Sequence, residues 1–133
     1  MIFVDSGALL ARYLPSDQYH TRSLELWRKL GESAELCVTS NFVLNETFTL
    51  LARRGTYQYA VRKARFLYET KPFNILRPTE DDERAALDLF EKFADQRVSF
   101  TDCVSFALMR RAGLDTVFSF DEHFVRAGFK LWA

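Results

Sequence analysis

The chain has 133 residues, 48% of them hydrophobic and 27% charged. That is the size and balance of one soluble globular domain, which excludes a mainly disordered chain and a pair of separate cores. Basic and acidic side chains number 18 each, for a formal net charge of zero, so a strongly basic nucleic-acid binder is excluded while a local basic face is not. No apolar run approaches the ~20 residues needed to span a bilayer. In the opening Met-Ile-Phe-Val-Asp an acid stands where a secretory signal would carry basic and then long apolar residues. The cytoplasm is the expected location, and Cys37 and Cys103, too few for a disulfide framework, fit a reducing compartment. Aromatic residues reach 15%, and 13 of them are Phe. Phe has no polar handle, so this surplus predicts an interface as well as a core.

In chain order, the short apolar run Met1 to Val4 reads as a buried strand ending at Asp5. Ser6 to Leu14 follows as a helix stopped by Pro15. A second helix spans about Tyr19 to Leu30, with Leu24, Trp27 and Leu30 on one stripe and Gly31 as its stop. Leu36 to Thr39 is a second strand. Ser40 or Asn41 caps the next helix, which runs through Phe42, Val43, Leu50 and Leu51 to Arg54, with Gly55 beyond. Tyr57, Val61, Ala64 and Tyr68 space out another helix. After Pro72, Phe73 to Leu76 is a third strand. Thr79 begins Thr-Glu-Asp-Asp, a capping-box-like start to a helix expected to turn Leu87, Phe90 and Phe93 inward. Thr101 is placed to cap a helix from Asp102 to Ala112, closed by Gly113. Thr116 to Phe120 is a β-rich run ending at Asp121, then come a helical turn and a last strand, Phe129 to Trp132. Strands alternating with helices argue for a single α/β domain over residues 1–133, a three-layer α/β/α sandwich around a mainly parallel sheet with right-handed crossovers.

In open parallel sheets the site lies outside the carboxyl ends of the strands. Asp5 and Asp121 directly follow strand runs. Glu46 lies in the first turns of the helix after the second strand, and Asp102 starts another helix. If the helix N-termini face that edge, four carboxylates converge. Such a group repels itself unless some members take up protons or a cation neutralises them. Hard oxygen ligands select Mg²⁺ or Mn²⁺, which bind substrate phosphate and activate water. Hydrolysis of a phosphodiester or phosphate ester is the chemistry this suggests. Taken singly, Asp102 and Asp121 also read as helix-capping acids, and Glu46 as a solvated helix residue.

Val-Asp-Ser-Gly-Ala-Leu after the first strand resembles the opening of PIN domains. Ser-Asn-Phe-Val-Leu-Asn-Glu-Thr, with Glu46, resembles their second acidic segment. Ser-Phe-Thr-Asp-Cys-Val-Ser-Phe-Ala-Leu-Met-Arg-Arg-Ala-Gly, with Asp102, is similar to the third, and Val-Phe-Ser-Phe-Asp-Glu-His-Phe, with Asp121, to the fourth. The ordered set spans essentially the whole chain, and the single-domain form resembles VapC-type toxins of toxin–antitoxin pairs. The resemblance implies an α/β/α fold and a Mg²⁺- or Mn²⁺-dependent endoribonuclease in which Asp5, Glu46, Asp102 and Asp121 are the catalytic and metal-binding acids. Ser6 matches a small hydroxyl residue that supports the site, and Thr101 is taken with it as supporting. Gly7 and Cys103 depart from the commoner larger residue and Ala at those places; neither removes a ligand. The resemblance also implies RNA as substrate, a homodimer, and an antitoxin as inhibitory partner. The helices around Trp27 and around Tyr57 to Tyr68 are expected to expose apolar faces for the protein contacts.

Two other function classes stay open: a catalytically silent PIN-like scaffold that binds RNA or a partner, and a small-molecule phosphatase acting through Asp5. The second would want another Asp two residues on, where Gly7 stands. His123 could touch a substrate phosphate, but a surface or packing role is expected for it and for His20. Cys103 beside an acid gains no thiolate stabilisation. Arg53, Arg54, Arg110 and Arg111 end helices, where they answer the dipole, and are expected to lie away from the acids. Arg62, Lys63, Arg65 and Arg12 are other candidates for an RNA track.

Overall fold

The computed structural model describes residues 1–132. The elements are β1 (Ile2–Val4), α1 (Ser6–Tyr13), α2 (His20–Glu32), β2 (Cys37–Ser40), α3 (Asn41–Arg54), α4 (Tyr57–Thr70), β3 (Asn74–Leu76), α5 (Glu80–Lys92), α6 (Phe100–Ala112), β4 (Thr116–Phe118), α7 (His123–Arg126) and β5 (Lys130–Leu131), with a 3-10 turn at Ala94–Gln96 before α6. The sheet has the order β3-β2-β1-β4-β5, and every pairing is parallel. β1 is central: Phe3 pairs with Val38 on one side and Val117 on the other. All three β1 residues are buried, which is why the run is wholly apolar rather than alternating.

Chain order runs from β1 outward through β2 to β3 and then returns to β4 beyond β1. The reversal makes a crevice between the carboxyl ends of β1 and β4, the place where such sheets bind ligands. A helix that follows a parallel strand starts at this edge, and so does one that leads into the next strand. α3 follows β2 and α6 leads into β4, so the acid-bearing first turns of both helices face the crevice.

Local chemistry sets the helix starts. Ser40 accepts from the Val43 N–H (3.1 Å) at the head of α3, and Thr56 from the Tyr59 N–H (3.1 Å) at the head of α4. Thr79 and Asp82 close a reciprocal capping box (3.2 and 2.8 Å). Each such cap is worth about 1 kcal/mol. Asp82 is also held by the Arg111 Nε–H at 2.7 Å, which ties α5 to α6; the Thr79 N–H first and then Arg111 keep the Asp82 carboxyl below its ordinary range against the cost of burial. Gly113 ends α6 at φ 71°, a left-handed conformation that disfavours a side chain.

Five sequence expectations are corrected. The buried stripe of α2 is Ser23, Leu26 and Leu30, while Leu24 stands out at 48% exposure. The helix also runs past Gly31 to Glu32. On α5, Phe93 is buried as expected but Leu87 and Phe90 are exposed; Ala86 and Leu89 face inward instead, because a stripe chosen for its largest side chains can be rotated by one residue from the face that packing selects. Trp27 does not present an open apolar face. Its ring packs on Phe118 at 4.8 Å and Phe73 at 6.1 Å, its Nε1–H donates to the Ala8 carbonyl (3.1 Å), and Arg12 lies over it at 4.7 Å. Finally, α6 is capped by Ser99, which accepts from the Asp102 N–H at 3.1 Å, and not by Thr101, which sits within the first turn.

The Phe surplus is largely structural. Phe3, Phe106, Phe118 and Phe124 are fully buried, and Phe106 meets Phe124 edge-on at 5.0 Å. Truncating one such ring costs ~3–5 kcal/mol. The surplus that remains outside is on α4, where Tyr57, Val61, Phe66 and Tyr68 are exposed, and on α5.

Candidate active site

An open pocket of about 610 Å³ lies at the β1/β4 crevice. All four sequence-selected acids line it, together with Ser6, Ser99 and His123. Thr101 does not. Asp5 is positioned by the end of β1, Glu46 by the second turn of α3, Asp102 by the first turn of α6 and Asp121 by the segment after β4. Asp102 and Asp121, with His123, have ligand atoms within 4.8 Å of one another. Asp5 and Glu46 fall outside this tight trio but share the pocket.

Ser119 joins the two halves. Its Oγ–H donates to Asp5 Oδ2 (2.8 Å), and the same Oγ accepts from the Asp121 N–H (3.0 Å). A single hydroxyl therefore locks the orientation of one acid and the backbone of another across the β1–β4 junction. Sequence reasoning missed this residue. Its signal was the hydroxyl two places before Asp121 in Phe-Ser-Phe-Asp, the spacing of a local side-chain turn. His123 does not have the surface or packing role that its sequence setting suggests. Instead its backbone N–H donates to Asp121 Oδ1 (2.9 Å), and its Nδ1 lies 3.2 Å from that oxygen and 3.7 Å from Asp102 Oδ2. His20 has the structural role expected, its Nδ1 2.7 Å from the Ala11 carbonyl.

Burial and mutual repulsion act together on the acids. Asp102 is pushed up to about 8, first by desolvation and then by the charges of Asp5, Asp121 and Glu46, against the Ser99 hydrogen bond. Asp5 rises to about 6, again mainly through burial, with Glu46 and Asp121 adding to it and the bonds from Ser119 and the Ser6 backbone opposing it. Asp5 Oδ1 is buried without a hydrogen-bond partner. A carboxylate oxygen left in that state is costly, and a cation relieves it. Carboxylate donors at two sheet-strand ends and two helix starts fit a small hard divalent ion. Cys103 is pushed up to about 11 by burial and by Asp102, so its thiol stays protonated, as expected.

Of the helix-ending arginines, Arg110 and Arg111 have the structural role expected, and Arg54 departs from it. Arg111 is bound to Asp82 (2.7 Å) and Arg110 to the Ala127 carbonyl (3.2 Å), so both hold structure. Arg54, expected far from the acids, lines the pocket with Glu46 and Leu50. These three recur at intervals of four on α3, and helical side chains lean toward the N-terminus. Arg97, in a left-handed conformation (φ 55°) just before α6, lines it too. Arg12 is taken up by Trp27 and Tyr13 in a separate groove.

A three-layer domain with an all-parallel sheet and a cluster of carboxylates lining the pocket at its switch point defines an α/β fold with an acidic crevice where such sheets take their ligands. The chain belongs to the PIN domain family, whose profile matches residues 2–130. It is 35% identical over 129 residues to the 23S rRNA-specific endonuclease VapC20 of Mycobacterium tuberculosis, covering 97% of this chain and 95% of that protein. The crystal structure of that organism's VapC20, described as a sarcin–ricin loop cleaving toxin, superposes with a TM-score of 0.88 at 32% identity over 97% of this chain and 96% of the other. FitAcB from Neisseria gonorrhoeae shares the fold, with a TM-score of 0.73 at 18% identity over 100% of this chain and 97% of the other.

Proposed function

We propose that this chain is a Mg²⁺- or Mn²⁺-dependent endoribonuclease, the toxin of a type II toxin–antitoxin pair acting in the cytoplasm, with Asp5, Glu46, Asp102 and Asp121 as its catalytic and metal-holding acids. One observation supports this most. A buried carboxylate group, with Asp102 raised to about 8 and Asp5 Oδ1 unpartnered, sits where the fold binds phosphates, in a chain alike over nearly its whole length to a named endonuclease. When bound, a divalent ion supplies Lewis acidity and neutralises charge on the phosphoryl group. The chain's own residues do the rest. Ser119 and Ser6 hold Asp5 in one orientation, Ser99 anchors the start of α6 under Asp102, and Arg54 and Arg97 offer charge to phosphates flanking the bond that is cut.

Because the relative is named for 23S rRNA and its sarcin–ricin loop, a hairpin of that loop is the first substrate to try. Purified protein cleaves it in Mn²⁺ or Mg²⁺, and EDTA stops the reaction. Failure to cut this hairpin, ribosomes or total RNA, with release of phosphate from small esters instead, overturns the reading in favour of a phosphatase. Binding without any hydrolysis favours the silent scaffold.

The protein partners proposed are a second copy of the chain and an antitoxin that sets a basic side chain, Arg best of all, against the acids in competition with the metal. The exposed apolar face of α4 supports a protein contact there, and a stable dimer buries at least ~1,000 Å² in total. No helix among the described residues is long and apolar enough to cross a membrane. Light scattering on the purified protein should give twice the monomer mass. A monomer at tens of micromolar, with no stable partner recovered from the native host, counts against both assemblies and leaves the nuclease untouched.

A further inference from the structure

The α1–α2 connection carries a feature that the acids do not account for. Tyr19, 41% exposed, stacks on Phe120 with ring centroids 4.6 Å apart and planes within 5°. Both residues line the acidic pocket. Phe120 in turn meets Phe118 edge-on at 6.0 Å, and Phe118 is fully buried against Trp27 at 4.8 Å. An aromatic ladder thus climbs from the core to the pocket mouth, and Tyr19 is its outermost rung. The rung is held firmly: the Tyr19 N–H donates to Asp17 Oδ1 (2.8 Å), and its carbonyl accepts from the Ser23 N–H (2.8 Å).

We infer that the Tyr19–Phe120 stack is a platform for a nucleobase next to the phosphodiester held at the acids; the inference rests on the ribonuclease reading. Phe120 immediately precedes Asp121, so the platform is tied to the acidic group by one ~3.8 Å Cα step. Apart from Leu10, Leu50 and the His123 ring, the rest of the pocket is mostly carboxylates and other polar groups, and the Tyr19–Phe120 pair is the stacked aromatic surface within it. An exposed ring already stacked on a fixed ring accepts a further π-face at low entropic cost. Such platforms are tolerant of base identity, because every base has a π-face. Arg54 and Arg97 border the same pocket and supply charge for neighbouring phosphates.

The test uses Tyr19→Phe, Tyr19→Leu and Tyr19→Ala in the native protein, and Tyr19→Ala again beside Asp102→Asn. The probe is the sarcin–ricin hairpin, with single abasic sites walked along it. In Mn²⁺, Tyr19→Ala and Tyr19→Leu lose roughly ten- to hundredfold in kcat/KM, mostly through KM, while Tyr19→Phe keeps the wild-type value. One abasic position reproduces that loss, and at that position Tyr19→Ala adds no further loss. Tyr19→Leu guards against a trivial packing effect, with melting temperature as the control. Wild-type values in Tyr19→Leu or Tyr19→Ala, or a Tyr19→Phe protein as poor as Tyr19→Ala, overturn the platform. If the wild type cuts no RNA, it is the ribonuclease reading that fails. Fluorescence anisotropy then decides the platform alone, and equal affinity of the Asp102→Asn protein with and without Tyr19→Ala overturns it.

Discussion

Asp102→Asn should abolish RNA cleavage and at the same time make the metal-free protein more stable. The acid is buried beside Asp5, Asp121 and Glu46, and its carboxyl is pushed up to about 8. Near neutral pH a carboxyl held that high must keep a proton that the unfolded chain has released, so a neutral amide in its place relieves the folded state by about 1–2 kcal/mol, the scale of stability commonly recovered when an active site is relaxed. For a domain of this size that raises Tm by roughly 3–10 °C. Asn keeps the shape, and the cap bond itself, from the residue 102 N–H to Ser99 Oγ (3.1 Å), comes from the backbone, so the α6 cap survives. On the proposed assignment the reaction loses one of the carboxylates that would hold the cation. A few kcal/mol of charge stabilisation in the transition state corresponds to at least about a thousandfold in rate. Ser119→Ala is the informative contrast, because it removes the bond to Asp5 Oδ2 (2.8 Å) without removing an acid. Its expected cost is ~10–100-fold, the usual effect of losing an orienting partner behind a metal ligand. Cleavage assays and thermal melts on the three proteins check this. An Asp102→Asn protein that is fully active, or one less stable than wild type without metal, defeats the assignment.

Stability without metal falls as pH rises, and a divalent ion restores it. Asp5 at about 6 and Asp102 at about 8 are both raised in the folded state above the ordinary carboxyl value of 3.8. Between pH 4 and 8 the folded chain therefore binds more protons than the unfolded one. Their favourable contribution is complete below about pH 4 and is lost as the pH climbs through the two raised values. Every tenfold difference in proton affinity between folded and unfolded chain corresponds to about 1.4 kcal/mol, so the fall across the window is on the order of several kcal/mol. A divalent ion held by the deprotonated acids should stabilise the chain increasingly over the same range. At a hundredfold excess over Kd the gain amounts to about 2.7 kcal/mol. Melting curves at pH 5, 6, 7 and 8, with Mn²⁺ and with EDTA, should diverge upward in pH, and the divergence should shrink in Asp102→Asn. Curves that coincide at pH 8 rule out a cation site at these acids.

The sequence by itself determined the elements, their order and the set of candidate acids. Each of these is written locally. Ile-Phe-Val before Asp5 is too apolar for anything but a central strand, Ser40 and Thr79 cap the helices that follow them, and Gly113 stops α6. Asp5, Glu46, Asp102 and Asp121 were legible as a set because a parallel sheet sends strand ends and the following helix starts to one edge. The tertiary structure decided what depends on a neighbour distant in the chain. Ser119 gains its role only where β4 lies against β1, 114 residues apart in the Ser119–Asp5 bond, and His123 is drawn to Asp102 by the packing of α6 rather than by any local pattern. The same holds for Leu24, Leu87 and Phe90. An amphipathic repeat fixes that a helix has an apolar stripe, but when large side chains occupy more than one stripe, only the packing partner selects which face is buried. Whether Arg54 or Arg111 is free to meet a phosphate was likewise settled by what each finds nearby: Arg111 meets Asp82 at 2.7 Å, whereas Arg54 borders the pocket.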